Sequence, residues 1–199
     1  MTNNRAVMSE RKSSKAELDI FPTPPWATRA LCEWLKMTGH YLNNALEPAA
    51  GYGHMVKPLR EYFENILATD IYLHTPHLHK VADYLTSDLP IPRWTITNPP
   101  FKLAEEFYLR AVERSMDGCA MLVRTSFLEG RGRYERLFSV QPPTDVLQFV
   151  ERVPMGKDRL DPKLSTATAY CWLVYRRSTN LGYTRLHWIP PCRKALERP

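Results

Sequence analysis

Apolar residues along the chain fall into two rhythms. Trp26, Ala30, Leu31, Trp34 and Leu35 recur at three- and four-residue intervals, which places them on one face of a helix. Pro24 and Pro25 stand at its first turn, where a missing N–H is tolerated, and Gly39 ends it. Met55, Val56, Leu59, Tyr62 and Phe63 form a second helical face. Phe107, Tyr108, Ala111 and Val112 form a third, over residues 102–116, with Gly118 behind it. Between these lie apolar runs of strand length at 45–47, 65–70, 94–96, 119–123, 145–150 and 169–175. Alternating strands and helices predict an α/β fold, a mostly parallel sheet with helices on both faces. Residues 154–168 are polar and carry no period, so the last two strands have no helix between them and pair antiparallel. Asp70 and Asp83 are 13 residues apart, enough for a loop and a vestigial strand.

This pattern spans residues 20–177, read as one domain. Residues 1–19 are polar and aperiodic and read as a mobile arm. Residues 178–199 read as a basic tail. From Arg176 onward six basic residues face one acid, which accounts for most of the net charge of +6 and fits a phosphate-rich partner. No run of 18 apolar residues exists, and the N-terminus has no apolar secretory core. Cys32, Cys119, Cys171 and Cys192 are widely spaced and read as reduced thiols of a cytoplasmic protein.

The chemistry-bearing residues sit where strands end. The run at 45–47 leads into Pro48-Ala49-Ala50-Gly51-Tyr52-Gly53 and then a helix, a layout that brings backbone and a helix start close to a cofactor. Asp70 ends the next strand, 23 residues after Glu47, where an acid can bond ribose hydroxyls. His74, His77 and His79 lack the partners that a metal site needs, and no metal is expected. The run at 94–96 leads into Thr97-Asn98-Pro99-Pro100-Phe101. Two prolines remove N–H groups and fix φ, so this elbow offers an amide side chain, carbonyls and a ring together. Such a set can accept two hydrogen bonds from a flat NH2 group and stack on the plane that carries it. Arg124, Arg131, Arg133 and Arg136 crowd a loop that Gly130 and Gly132 make flexible, and Lys157 lies in the later polar stretch. Arg124, Arg131, Arg133 and Lys157 are candidate nucleic-acid contacts.

In this order the motifs resemble the class I S-adenosylmethionine-dependent methyltransferases, specifically those modifying N6 of adenine in DNA. Residues 98–101 resemble their N-P-P-[FY] catalytic motif, residues 47–53 their [DE]-P-x-x-G-x-G cofactor loop, and Asp83-Tyr84-Leu85 their D-[FY]-L element. Phe21, Thr23 and Pro24 resemble the F-x-T-P element that closes over the methionine end. Residues 152–154 and 171–174 are similar to the final hairpin of small, phage-type members. The resemblance covers roughly residues 21–175. It implies a Rossmann-like methyltransferase fold with a seven-stranded-type sheet and a C-terminal antiparallel hairpin. It implies S-adenosylmethionine as donor and S-adenosylhomocysteine as product. Asn98, Pro99, Pro100 and Phe101 would be catalytic. Phe21, Thr23, Pro24, Glu47, Pro48, Gly51, Gly53, Asp70, Asp83 and Tyr84 would hold the cofactor. No separate target-recognition domain follows, which predicts short or relaxed sequence specificity. An RNA adenine or a protein glutamine amide presents the same NH2 group, and a silent cofactor- or DNA-binding module is a further alternative.

Overall fold

The computed structural model describes residues 20–75, 80–157, 160–161, 167–179 and 182–198; the arm read at 1–19 lies outside them. The strands are β1 (Asn44–Glu47), β2 (Asn65–Asp70), β3 (Lys80–Val81), β4 (Trp94–Thr97), β5 (Gly118–Arg124), β6 (Asp145–Phe149), β7 (Tyr170–Arg176) and β8 (Arg185–Ile189). They form one sheet in the order β3-β2-β1-β4-β5-β7-β6-β8. The first five run parallel, β7 lies antiparallel between β5 and β6, and β8 runs parallel to β6. All six strand runs predicted from sequence are present. The antiparallel pairing of β6 with β7 and the two-residue β3 follow the expectation as well.

Helices α1 (Pro25–Met37) and α2 (Val56–Leu59) cover one face of the sheet, and α3 (Ala104–Arg114) covers the other. The central strands are buried on both faces, hence their unbroken apolar runs. Pro25 opens α1, and Gly39 follows it at φ 78°. The second helix is shorter than its periodicity suggests. Beyond Leu59 the chain continues in turns, with Glu61 bonded to Pro58 and Phe63 to Leu59. Two short elements complete the fold: α4 (Arg131–Arg133), continued by a π-helical turn over Tyr134–Phe138, and α5 (Arg193–Leu196).

The reading of residues 178–199 as a basic tail outside the domain is overturned. β8 pairs with β6 along its whole length, and α5 is packed against α1. The cause is a buried acid. Asp145 on β6 is fully buried and takes hydrogen bonds from Arg176, Arg185 and His187 and from the Thr144 hydroxyl. A buried carboxylate needs such partners. Arg177 donates to the carbonyls of Val112 and Ser115, Arg198 to Glu61, and Arg193 to Glu197. Buried Arg29 reaches from α1 to Glu61 and to the carbonyls of Leu196 and Arg198. Much of the charge that reads as free in sequence is therefore paired within the fold, although Arg177, Lys194 and Arg198 stay exposed.

Candidate active site

The cleft opens at the C-terminal ends of β1, β2 and β4, where open α/β sheets place their ligands. It spans ≈ 960 Å³, part of it open to solvent, and brings together Phe21, Thr23, Pro48, Gly51, Asp70, Asp83, Tyr84 and the whole Asn98–Phe101 elbow. Three predicted residues stand behind its wall. Pro24 caps α1, its carbonyl accepting from Ala27. Gly53, at φ 82°, donates to Ala50 at 2.7 Å and closes the glycine turn. Glu47 lies fully buried beneath that turn and accepts from the Ala49 amide at 3.0 Å. Burial pushes its carboxyl up to about 8, against the Thr97 side chain and the Ala49 amide, which favour the charged form.

Gly51 sits at φ 50°, a left-handed conformation that suits glycine. Asp70 holds it there: one carboxylate oxygen accepts from the Gly51 amide at 2.8 Å, the other from the Tyr72 amide at 3.0 Å. His74 lies 3.3 Å from the same carboxylate, and its ring packs near Tyr52 and Tyr72. Asp70 is therefore a brace for the glycine loop as well as a group on the cleft. Asp83 accepts from the Leu85 amide with one oxygen; its other oxygen takes no hydrogen bond from the described residues. Tyr84 is buried against Phe107, and burial pushes its phenol up. The Thr23 hydroxyl on the cleft is buried and has no hydrogen-bond partner among the described residues.

At the elbow, Asn98 Nδ2 donates to the Phe21 carbonyl at 2.8 Å and lies 4.0 Å from the sulfur of Met155. A carbonyl can only accept, so the contact fixes which way the amide points. The Asn98 oxygen is left buried without a partner among the described residues. Phe101 packs against Phe21 with ring centroids 5.0 Å apart, and the Arg124 guanidinium lies 4.1 Å from its centroid. A second cavity of ≈ 450 Å³ opens on that side, lined by Phe101, Val123, Arg124 and Phe127.

The cationic candidates divide. Arg124 stacks on Phe101. Arg133 is bound to the carbonyls of Phe127 and Glu129 and stacks on Phe127, so it shapes its own loop. Arg131 is exposed and pairs with Glu135, and Lys157 is exposed in a turn. Sequence reasoning assigned no role to Tyr52, Lys102 or Met155. Met155 lies in a stretch read as structureless, although Val153-Pro154-Met155 is apolar. Lys102 adjoins the N-P-P-F motif and is exposed. His74 was weighed only as a metal ligand; His77 and His79 lie outside the described residues. Among the described residues no cluster of three or more His, Cys, Asp or Glu could hold a metal. None of their helices is long and apolar enough to cross a membrane.

A mixed eight-stranded sheet with this order and this cleft is the Rossmann-like methyltransferase fold. No protein-family model matches the sequence, and no curated protein matches it. Solved structures match the fold. A Pyrococcus horikoshii protein put forward as an RNA methyltransferase is 17% identical, with TM-score 0.61 over 83% of this chain and 90% of its own. A type I restriction-modification methyltransferase subunit from Streptococcus thermophilus is 11% identical, with TM-score 0.60 over 90% of this chain and 49% of its own. A Listeria monocytogenes protein put forward as a class I S-adenosylmethionine-dependent methyltransferase is 10% identical, with TM-score 0.60 over 84% of this chain and 65% of its own. The chain thus spans about half the length of the restriction-modification subunit.

Proposed function

We propose that this protein transfers a methyl group from S-adenosylmethionine to the N6 amine of adenine in DNA, with short or relaxed sequence specificity. The single observation that carries this reading is the Asn98 oxygen, buried, oriented by the Phe21 carbonyl and without a partner among the described residues, beside Pro99. A buried acceptor of this kind is costly unless a ligand N–H completes it. The Asn98 side-chain oxygen and the Pro99 carbonyl would each accept a hydrogen bond from one N–H of the amine, localising its lone pair on nitrogen.

The cleft suits the donor on its own features. Its glycine turn lets backbone approach closely, and among the described residues one Asp83 carboxylate oxygen and the Thr23 hydroxyl have no partner. Asp70 and Asp83 would bond the ribose and adenine, with Gly51 and Thr23 toward the methionine end. S-adenosylmethionine supplies an electrophilic methyl group. The chain's part is to hold the amine in line with it, and such positioning can supply about 7–11 kcal/mol of a barrier. A base in a duplex must be flipped out, at a few kcal/mol. Stacking on Phe101 would offset part of that.

Solved neighbours include one put forward as an RNA methyltransferase and one type I restriction-modification methyltransferase subunit, and the elbow suits adenine in RNA or DNA. The test is incubation with labelled S-adenosylmethionine, separation of DNA, RNA and protein, and mass spectrometry of the modified base. N6-methyladenine in DNA is the expected product. Label confined to RNA or to protein would overturn the DNA assignment, and no label in any fraction would overturn the enzyme reading.

A further inference from the structure

The strand that sequence reading left out carries an exposed indole. Trp188 on β8 is 65% exposed, with Leu186 exposed behind it on the same face. The other four tryptophans differ: Trp26, Trp94 and Trp172 are fully buried, and Trp34 is half-buried against His187. Trp188 lines a cleft of ≈ 680 Å³ with Thr125, Gln148, Val150 and Arg152. The cleft floor is rigid. The Thr125 hydroxyl donates to Gln148 at 3.0 Å, and the Gln148 amide donates to the Phe149 and Tyr170 carbonyls. Arg152 is exposed at the rim, anchored by one hydrogen bond to the Ala167 carbonyl.

Register connects this cleft to the elbow. Val123 of β5 pairs with Cys171 of β7, Cys171 with Gln148 of β6, and Gln148 with Trp188 of β8. Residues paired across neighbouring strands share a face, so Val123 and Trp188 stand on one side of the sheet. Val123 lines the cavity behind Phe101. Three strand spacings, roughly 14 Å, separate them. Thr125, next to Arg124, bridges the two by its bond to Gln148.

We propose that Trp188 and Arg152 form a second nucleotide-binding platform, on which an unpaired base flanking the methylated adenine stacks while Arg152 meets its phosphate. An exposed aromatic face beside a cation is the pairing with which proteins hold single strands without reading sequence. The cleft lies on the same face of the sheet as the cavity behind Phe101, three strands away, and the proposal rests on the nucleic-acid reading above.

The test uses the full chain with S-adenosylhomocysteine and a short adenine-bearing single-stranded oligodeoxynucleotide. Binding quenches tryptophan emission, and Trp188→Ala removes most of that quench. It weakens oligonucleotide binding on the order of tenfold, within the range for one base–aromatic stack. Affinity for S-adenosylhomocysteine and the thermal midpoint stay at wild-type values, and Trp188→Tyr restores most of the lost binding. If Trp188→Ala binds the oligonucleotide as wild type does while the wild-type protein methylates DNA, the platform is wrong and the enzyme reading stands. If the variant instead turns a dimer into a monomer in sedimentation without changing oligonucleotide affinity, the surface joins copies of the chain and the platform is again wrong. A wild-type protein that binds neither DNA nor RNA and methylates protein overturns both.

Discussion

Asn98 and Phe21 are 77 residues apart and joined by one hydrogen bond of 2.8 Å, Nδ2 to carbonyl. The bond couples the segment ahead of α1 to the elbow after β4, and it leaves Asn98 Oδ1 buried without a partner among the described residues, the acceptor that the proposed function assigns to the amine. Asn98→Ala therefore removes an interaction that matters most in the transition state. A loss of about 10²–10³-fold in kcat is expected, the scale for one preorganised hydrogen-bonding group. Cofactor affinity by calorimetry should hardly move. Asn98→Asp should also be poor, because a carboxylate cannot donate to the Phe21 carbonyl. Wild-type turnover in either variant would remove the elbow from the chemistry.

Asp70 is expected to act twice. Its carboxylate holds the Gly51 and Tyr72 amides, and hydrogen bonds to a charged group are worth about 1.5–3 kcal/mol each. Asp70→Ala should lower both the thermal midpoint and the affinity for S-adenosylmethionine. A ribose contact alone would lower only the second. Differential scanning calorimetry with and without ligand separates the two, and unchanged affinity would take Asp70 out of the site.

Glu47 gives a pH signature. Its folded-state pKa is raised from 4.5 to about 8 by burial. The folded protein therefore holds this proton more tightly than the unfolded chain. The resulting stabilisation is full below about 4.5 and declines as pH rises through about 8. Glu47→Gln keeps a neutral acceptor for the Ala49 amide and cannot ionise. Relative to this variant, the wild-type thermal midpoint should fall between pH 5 and pH 9. Parallel curves would mean that Glu47 ionises normally.

How far the sequence discloses this molecule depends on what kind of signal each part carries. Buried strands such as β5 and β7 announce themselves because both faces are apolar. The cofactor loop and elbow do so because glycine and proline at fixed spacing leave few backbone options. β8 was hidden because its inward partners are polar: Arg185 and His187 serve Asp145, and Leu186 and Trp188 face out. The strand does alternate, but in the inverted sense: its polar side chains point inward to the acid and Leu186 and Trp188 outward, so its apolar stripe does not mark the buried face. Met155 escaped for a related reason, since its contact with Asn98 spans 57 residues and follows from no local period. Arg133 looked like a phosphate ligand because composition cannot tell a cation facing solvent from one bound to its own loop's carbonyls.

That distinction decides the expected response to salt and sequence. The last turns of the chain present less free charge than composition suggests: Arg176 is buried against Asp145, while Arg177 and Arg198 are exposed but each hydrogen-bonded to the protein. Beside Arg152, phosphate contacts then fall to Arg131, Lys157 and Lys102, exposed near the elbow or in the loops around it. Such contacts orient a strand and read no bases. Arg131→Ala should weaken binding on all sequences alike and reduce the slope of log K against log salt by about 0.7–0.9. Arg198→Ala should lower stability and leave that slope unchanged. Among the described residues nothing forms a dedicated element for a DNA groove, so methylation should fall on adenine in a loose context. Mapping modified bases by single-molecule sequencing of a genome exposed to the protein is the direct measurement. Modification confined to one long, unique motif would refute relaxed specificity and assign base reading to the 154–168 stretch or to a partner subunit.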